Sequence, residues 1–177
     1  VSDFHTGDKV VSNGNHAEYV VVNQNLCTRI PDNTDIKEAS FTVLGSIALH
    51  GLRLSETSLG SKVVVIGLGI IGQLVCRLAE AQGSEVIGID PDTKRTDLSS
   101  NFYTSVEEAN MTNVDSVIIT AATSSNEPIE VATKIARNKA KIVVVGDIPL
   151  NISRNDFYYK ELELVVSKSY GPGRYDK

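Results

Sequence analysis

Four consecutive β-branched residues, Val63 to Ile66, run straight into Gly67-Leu68-Gly69-Ile70-Ile71-Gly72. An unbroken β-branched run of this kind suits a strand buried on both faces of a parallel sheet. Beyond the glycines, Ile71, Leu74, Val75, Leu78 and Ala79 recur at helical spacing, and Gly83 closes that helix. A second apolar run, Glu85 to Ile89, ends at Asp90. Strand, glycine turn, helix, strand and acid, with the acid about twenty residues beyond the glycines, form the dinucleotide-binding fingerprint in its structural context.

Each residue has a physical task. Gly67 permits the tight turn, Gly69 lets the backbone approach a pyrophosphate, and Gly72 lets the helix lie close to the strand. The helix N-terminus offers free N–H groups and partial positive charge to the phosphates. A carboxylate at Asp90 can accept both ribose hydroxyls of NAD and repels a 2′-phosphate, so NAD is expected ahead of NADP. The plainer alternative is a chance glycine cluster, with Asp90 capping a helix begun by Pro91.

The 177 residues suffice for one ordinary domain and part of another. With 41% hydrophobic and 22% charged residues the composition is globular, and no apolar run reaches the roughly 20 residues a membrane helix needs. Val1-Ser2-Asp3-Phe4-His5 lacks the character of a signal peptide. A net charge of −5 disfavours nucleic acid or an anionic membrane as the main partner. Cys27 and Cys76 form no CxxC pair, which argues against a disulfide scaffold or cysteine-rich zinc site and fits a reducing, cytoplasmic setting. The absence of an initial methionine and the glycine-rich end suggest a segment of a longer polypeptide.

Along the chain, residues 1–35 read as β-rich, with short strands at Asp8–Val11, Ala17–Val22 and Cys27–Ile30 and turn material at Asn13-Gly14-Asn15. Residues 36–177 read as a doubly wound α/β sheet. It opens with helical segments Ile36–Leu44 and Ile47–Leu54, separated by Gly45. After the fingerprint come a stunted helix at Asp92–Leu98, a short strand at Phe102–Thr104 and a capping box at Ser105–Glu108 for a helix to about Met111. Further strands are expected at Val114–Thr120, Lys141–Val145 and Leu162–Val166, with a helix from Ser124 to about Asn138.

The flanks carry a family resemblance. Gly7-Asp8-Lys9-Val10, His16-Ala17-Glu18-Tyr19-Val20 and Ile30-Pro31-Asp32 resemble the end of the GroES-like catalytic domain of medium-chain dehydrogenases. Glu38-Ala39 and Leu44-Gly45-Ser46-Ile47-Ala48-Leu49-His50-Gly51 resemble the helix leading into their cofactor domain. Val114–Ala122 and Lys141–Pro149 resemble two of that domain's strands. Ser167 to Asp176 resembles a bacterial alcohol or threonine dehydrogenase-like branch often encoded with polysaccharide genes. The resemblance implies a GroES-like remnant at 1–35 and a Rossmann domain at 36–177, with Gly67, Gly69, Ile70, Ile71 and Gly72 on the pyrophosphate. It puts Asp90 and Arg95 on the adenosine ribose, and Thr120, Ala121, Gly146, Asp147, Tyr170 and Gly171 along the cofactor. Arg95 has the alternative of a solvated charge, and Tyr170 that of a turn aromatic.

Departures from the family matter too. The position matching a zinc ligand holds Leu44, which has no donor atom, so no catalytic zinc is expected. His50 reads as a buried, hydrogen-bonded structural histidine, and His16 and His5 carry no catalytic pattern, so no catalytic residue is named. The leading reading is an NAD-dependent oxidoreductase acting on an alcohol or carbonyl, with a sugar or sugar nucleotide suggested by the resembling branch. Its rivals are a nucleotide-sensing module and an inactive cofactor-binding fragment. The apolar strand Leu162–Val166, last in the sheet, is expected to pair two copies into a homodimer.

Overall fold

A computed structural model describes residues 4–99 and 101–175. Val1 to Asp3 of the N-terminal segment and Asp176 and Lys177 of the C-terminal motif lie outside the described residues.

Six parallel strands form the central sheet: β3 (Lys62–Ile66), β4 (Glu85–Ile89), β5 (Phe102–Tyr103), β6 (Val114–Ile119), β7 (Ala136–Val144) and β8 (Glu163–Val166). Their spatial order is β5-β4-β3-β6-β7-β8. Chain direction across the sheet therefore reverses between β3 and β6, the doubly wound Rossmann arrangement. Both faces are covered. Val64 and Ile66 point into one apolar layer with Ile129, Ala132 and Ile135, while Val63 and Val65 point into the other with Leu52, Val75 and Ala79. This explains the unbroken apolar runs: every residue of a central strand meets a helix.

The helices on the second face are α2 (Thr42–Leu54) and α3 (Ile70–Ala81), and α6 (Glu127–Ile135) covers the first. Short α1 (Ile36–Ala39), α4 (Thr93–Thr96) and α5 (Val106–Ala109) are started by side chains. Asp35, Asp92 and Ser105 accept from the N–H of Lys37, Lys94 and Glu108 respectively. The capping box is modified, because the Glu108 carboxylate accepts from Thr104, through both its N–H and its hydroxyl.

The N-terminal region corrects the three-strand expectation. Only β1 (Val10–Ser12) and β2 (Cys27–Arg29) form, as an antiparallel pair. Ala17–Val22 is not a strand: Tyr19 and Val21 face solvent at 86% and 100% exposure. A stretch of aromatic and β-branched residues needs a sheet to bury against, and none lies beside it among the described residues.

Two further corrections follow from packing. Gly45 does not break the helix; α2 runs through it, and the break falls earlier, between Ala39 and Thr42. The helix expected to reach Asn138 stops at Ile135, and Ala136 turns extended to begin β7. Lys160 accounts for that stop: its ammonium donates to the carbonyls of Thr133, Lys134 and Ala136 at 2.8, 3.0 and 2.8 Å. A cation on the last carbonyls of a helix satisfies orphan acceptors and complements the dipole. Lys160 itself sits on α7 (Arg154–Lys160), a helix without a counterpart in the sequence reading. Among the described residues no helix is long and apolar enough to cross a membrane.

Candidate cofactor site

The C-terminal ends of β3, β4, β6 and β7 deliver Gly67, Asp90, Thr120 and, one residue further on, Gly146 to the same edge of the sheet. Gly67 has a φ of +98°, and a Cβ there would stand 2.5 Å from the Ala121 nitrogen. Only glycine combines that dihedral with that approach. A Cβ at Gly72 would overlap the Gly67 carbonyl oxygen and lie 2.7 Å from Thr120 Oγ1. A Cβ at Gly146 would overlap the Ala121 carbonyl oxygen. These three glycines are consumed by packing.

Gly69 differs. A Cβ there would meet nothing within 4 Å, and its φ of −64° is ordinary. It is the N-cap of α3, whose first internal bond runs from Gln73 N to Gly69 O at 3.0 Å. The N–H groups of Ile70, Ile71 and Gly72 therefore open the helix without an intrahelical acceptor. Open space, free N–H groups and a helix dipole coincide at one point, the requirement for holding a phosphate. Thr120 braces the turn from the neighbouring strand: its hydroxyl donates to the Gly67 carbonyl at 2.5 Å, and its N–H bonds Ile66 O at 2.8 Å.

Asp90 is 3% exposed, and its carboxylate is already engaged. Oδ2 accepts from Leu68 N at 2.7 Å and from Arg95 Nη1 at 3.0 Å, and Oδ1 accepts from Asp92 N at 2.9 Å. Burial alone would raise its pKa, but the backbone N–H groups of Asp92 and Leu68 and the Arg95 guanidinium outweigh burial and hold it below the usual carboxylate value. The sequence suggested a ribose acceptor; the structure adds a clamp on the glycine loop, through Leu68. Arg95 also lies 3.5 Å from Asp92 and keeps its side chain nearly half exposed.

The other residues singled out from sequence divide into two groups. Ile70 is exposed beside Gly69, Ile71 is half-buried, and Ala121 and Asp147 lie on adjoining loops joined by Thr123 N to Asp147 O at 3.0 Å. Tyr170 and Gly171 instead sit against α2 and β1: the Tyr170 hydroxyl accepts from Asn13 Nδ2 at 3.0 Å, and a Cβ at Gly171 would lie 2.5 Å from His50 Nδ1. His50 departs from expectation, being half-buried with no hydrogen bond among the described residues; it lines a cavity of about 580 Å³. His16 and His5 are exposed. Asn126, which no motif suggested, ties the loop after β7 to α6: its amide donates to Asn151 O and Glu130, and its Oδ1 accepts from Asn151 N.

Leu44 lies within α2, and among the described residues no group of three or more His, Cys, Asp or Glu could hold a metal ion. The donor set does not fit a catalytic zinc. Cys76 is buried, and burial pushes its thiol up to about 12, which makes it a packing residue.

Comparison with known proteins agrees with this architecture. The family model of the D-isomer specific 2-hydroxyacid dehydrogenase NAD binding domain matches residues 41–157. The chain is 26% identical over 163 residues to 2-dehydro-3-deoxy-L-galactonate 5-dehydrogenase of Pseudoalteromonas atlantica, covering 84% of this chain and 47% of that protein. It is 36% identical over 103 residues to D-guloside 3-dehydrogenase of Escherichia coli, covering 56% of this chain and 29% of the relative. An alcohol dehydrogenase superfamily structure from Novosphingobium aromaticivorans superposes with a TM-score of 0.79 at 17% identity, over 95% of this chain and 56% of that one. The chain thus spans about half the length, or less, of the curated relatives it matches. By these matches the chain belongs to the NAD-binding dehydrogenase domains of that family model, and its relatives and structural neighbours are the zinc-type medium-chain alcohol and polyol dehydrogenases.

Proposed function

We propose that this chain is the cofactor-binding part of an NAD-dependent oxidoreductase that moves a hydride between nicotinamide and the alcohol or carbonyl carbon of a sugar or polyol. The observation that carries this reading is the contrast among the four glycines at this sheet edge: a Cβ at Gly67, Gly72 or Gly146 would meet backbone, and one at Gly69 would enter open space at a helix mouth. The relatives' actions on sugar derivatives support the substrate class. We divide the chain at about residue 35, between the β1–β2 pair and the Rossmann domain.

In this reading the N–H groups of Ile70, Ile71 and Gly72 hold the pyrophosphate. Asp90 takes the adenosine ribose after Arg95, which is exposed enough to swing outward, gives up its place on Oδ2. Arg95 then packs on the same ribose. Thr120, Ala121, Gly146 and Asp147 border the path toward the nicotinamide half, and Tyr170 and Gly171 close it from the side of α2. When bound, the nicotinamide supplies hydride transfer, and the protein supplies position and electrostatics. Among the described residues no group of three or more His, Cys, Asp or Glu could hold a metal ion, so no step is assigned to zinc. Asp90 also bears on cofactor choice. A 2′-phosphate beside a buried carboxylate that is ionised at neutral pH meets like-charge repulsion, so NAD binds more tightly than NADP.

Calorimetric titration of NAD and NADP, followed by NADH formation over a panel of sugars and polyols, tests the proposal. Tighter NADP binding refutes the role of Asp90. NAD binding without turnover on any substrate favours the second reading, a dinucleotide-binding module without catalysis.

A further inference from the structure

A cavity lies away from the glycine loop. It lies between β1–β2, one face of α2 and the segment from Tyr170 to Gly173, and its volume of about 580 Å³ is in the usual range for small-molecule sites. Leu26 and Leu49 contribute apolar wall, and polar groups converge from three directions: Asn13 from β1–β2, Tyr170 from the C-terminal segment, and Ser46, His50 and Arg53 from α2. Spacings of three and four residues put those α2 side chains on one helix face.

The charge of this lining is distinctive. The chain as a whole is acidic, at −5, yet no Asp or Glu lines the cavity. Its one cation, Arg53, has no carboxylate partner among the described residues, and the neighbouring acid Glu56 is taken by Lys141 at 2.8 Å. Arg29, Arg95 and Arg137 are paired with acids; Arg154 and Arg174 stack on Tyr158 and Tyr170, and Arg53 is the arginine that lines this cavity. Hydrogen-bonding capacity is likewise unspent. The His50 ring is wedged against Gly171, whose φ of +77° and missing side chain make room for it, and neither ring nitrogen has a hydrogen-bond partner among the described residues. Asn13 spends its amide N–H on Tyr170 and keeps its carbonyl oxygen.

We propose that this cavity is the substrate pocket and that it takes an anionic polyol, a sugar acid or a sugar phosphate, with Arg53 on the anionic group and Asn13, Ser46 and His50 on the hydroxyls. Arg53 is then a specificity-determining residue, since a guanidinium fork matches carboxylate and phosphate oxygens alike. The assignment of the ligand as substrate rests on the hydride-transfer reading above. Tyr170, Pro172 and Gly173 border the cavity, and the hydride-transfer reading above places Tyr170 and Gly171 on the nicotinamide side as well.

Calorimetry on the chain without cofactor, with D-gluconate, glucitol 6-phosphate and neutral glucitol as probes, tests the inference; NAD is titrated separately. At least one of the two anions should bind, and glucitol should bind at least tenfold more weakly. Which anion binds more tightly decides between carboxylate and phosphate as the source of the charge. Arg53→Gln should weaken the preferred anion by roughly 10- to 100-fold, the value of a charge-assisted hydrogen bond, and leave NAD affinity unchanged. His50→Phe should weaken anion and glucitol together. Anions that bind no better than glucitol, or an anion preference that survives Arg53→Gln, overturn the inference even when NAD binds normally. Anion binding that depends on Arg53 in a protein that fails to bind NAD upholds the anion site and overturns the hydride-transfer reading instead.

Discussion

Gly69→Val and Gly72→Ala should separate binding from folding, although the two glycines are three residues apart in one motif. At Gly69 the backbone is in the extended region with φ −64° and ψ −174°, which valine adopts without strain, and the new side chain enters open space. The folding cost is that of a poor N-cap residue, about 1 kcal/mol. The binding cost is larger, because the isopropyl group occupies the volume a phosphate needs. Loss of two charge-assisted hydrogen bonds, at about 1.5–3 kcal/mol each, weakens NAD by roughly 10²- to 10⁴-fold. At Gly72 a methyl would overlap the Gly67 carbonyl, which cannot rotate away because the Thr120 hydroxyl holds it. Overpacking costs about 1–3 kcal/mol, against at most about 1 kcal/mol regained in helix propensity. A backbone clash lies at the upper end, so the net loss is about 2 kcal/mol, or roughly 4–8 °C in Tm for a chain of this size. Thermal melts and NAD titrations on both variants check the pair. A folded Gly69→Val protein that binds NAD within threefold of the parent, or a Gly72→Ala protein that melts with the parent, would refute the division of labour among these glycines.

Lys160→Met should lower Tm by roughly 2–12 °C, because it strips one cation from three carbonyls at the end of α6 for a loss of about 1–3 kcal/mol; a melt equal to the parent's would mean water replaces the ammonium without loss. Asp90 has a folded-state pKa below its unfolded value, so its contribution to stability is complete above about pH 4 and disappears as pH falls through the lowered folded value. Urea unfolding of Asp90→Asn against the parent should therefore show a constant deficit from pH 5 to 8 that closes below pH 4, and a deficit that grows on acidification would reverse the sign argued here. We also propose that β8, which pairs only with β7 and leaves Val166 59% exposed, meets its two-fold mate in a homodimer. Light scattering should show a dimer that Val165→Lys dissociates; a monomeric parent, or a dimer indifferent to that charge, excludes this edge.

The elements that could be read from sequence are those that carry a long apolar run or a clear period of their own. β3, α3 and β4 share one local unit, and their apolar pattern was set by burial against each other. What failed depended on distant groups. The stop of α6 comes from Lys160, twenty-five residues beyond Ile135, and nothing in Ala136-Arg137-Asn138 announces it. α7 escaped because Phe157 alone anchors it in the core, and one apolar residue sets no period. Ala17–Val22 failed for the opposite reason: its run Tyr19 to Val22 has strand-forming residues, but a strand requires a neighbour as well as a composition.

The same distinction governs the site. The spacing of the glycines was legible, but which of them faces a ligand was not, since that depends on how closely Thr120–Ala121 and the Gly67 carbonyl press on the turn. Asp90 shows the deeper limit. From sequence it is an acceptor at a strand end, waiting for a ribose. In the fold it is buried, bonded to Leu68 and Asp92, and covered by Arg95. These duties are compatible because they use different atoms and different mobilities. The backbone bonds are fixed by the loop and place the phosphate-binding turn, while the guanidinium is half in solvent and can leave. Arg95 pairs with the carboxylate in this structure, and in the proposed reading cofactor binding exchanges that ion pair for hydroxyl contacts. On this argument Asp90 positions the phosphate loop as well as the ribose, and its removal should weaken even a pyrophosphate ligand that lacks the adenosine ribose altogether.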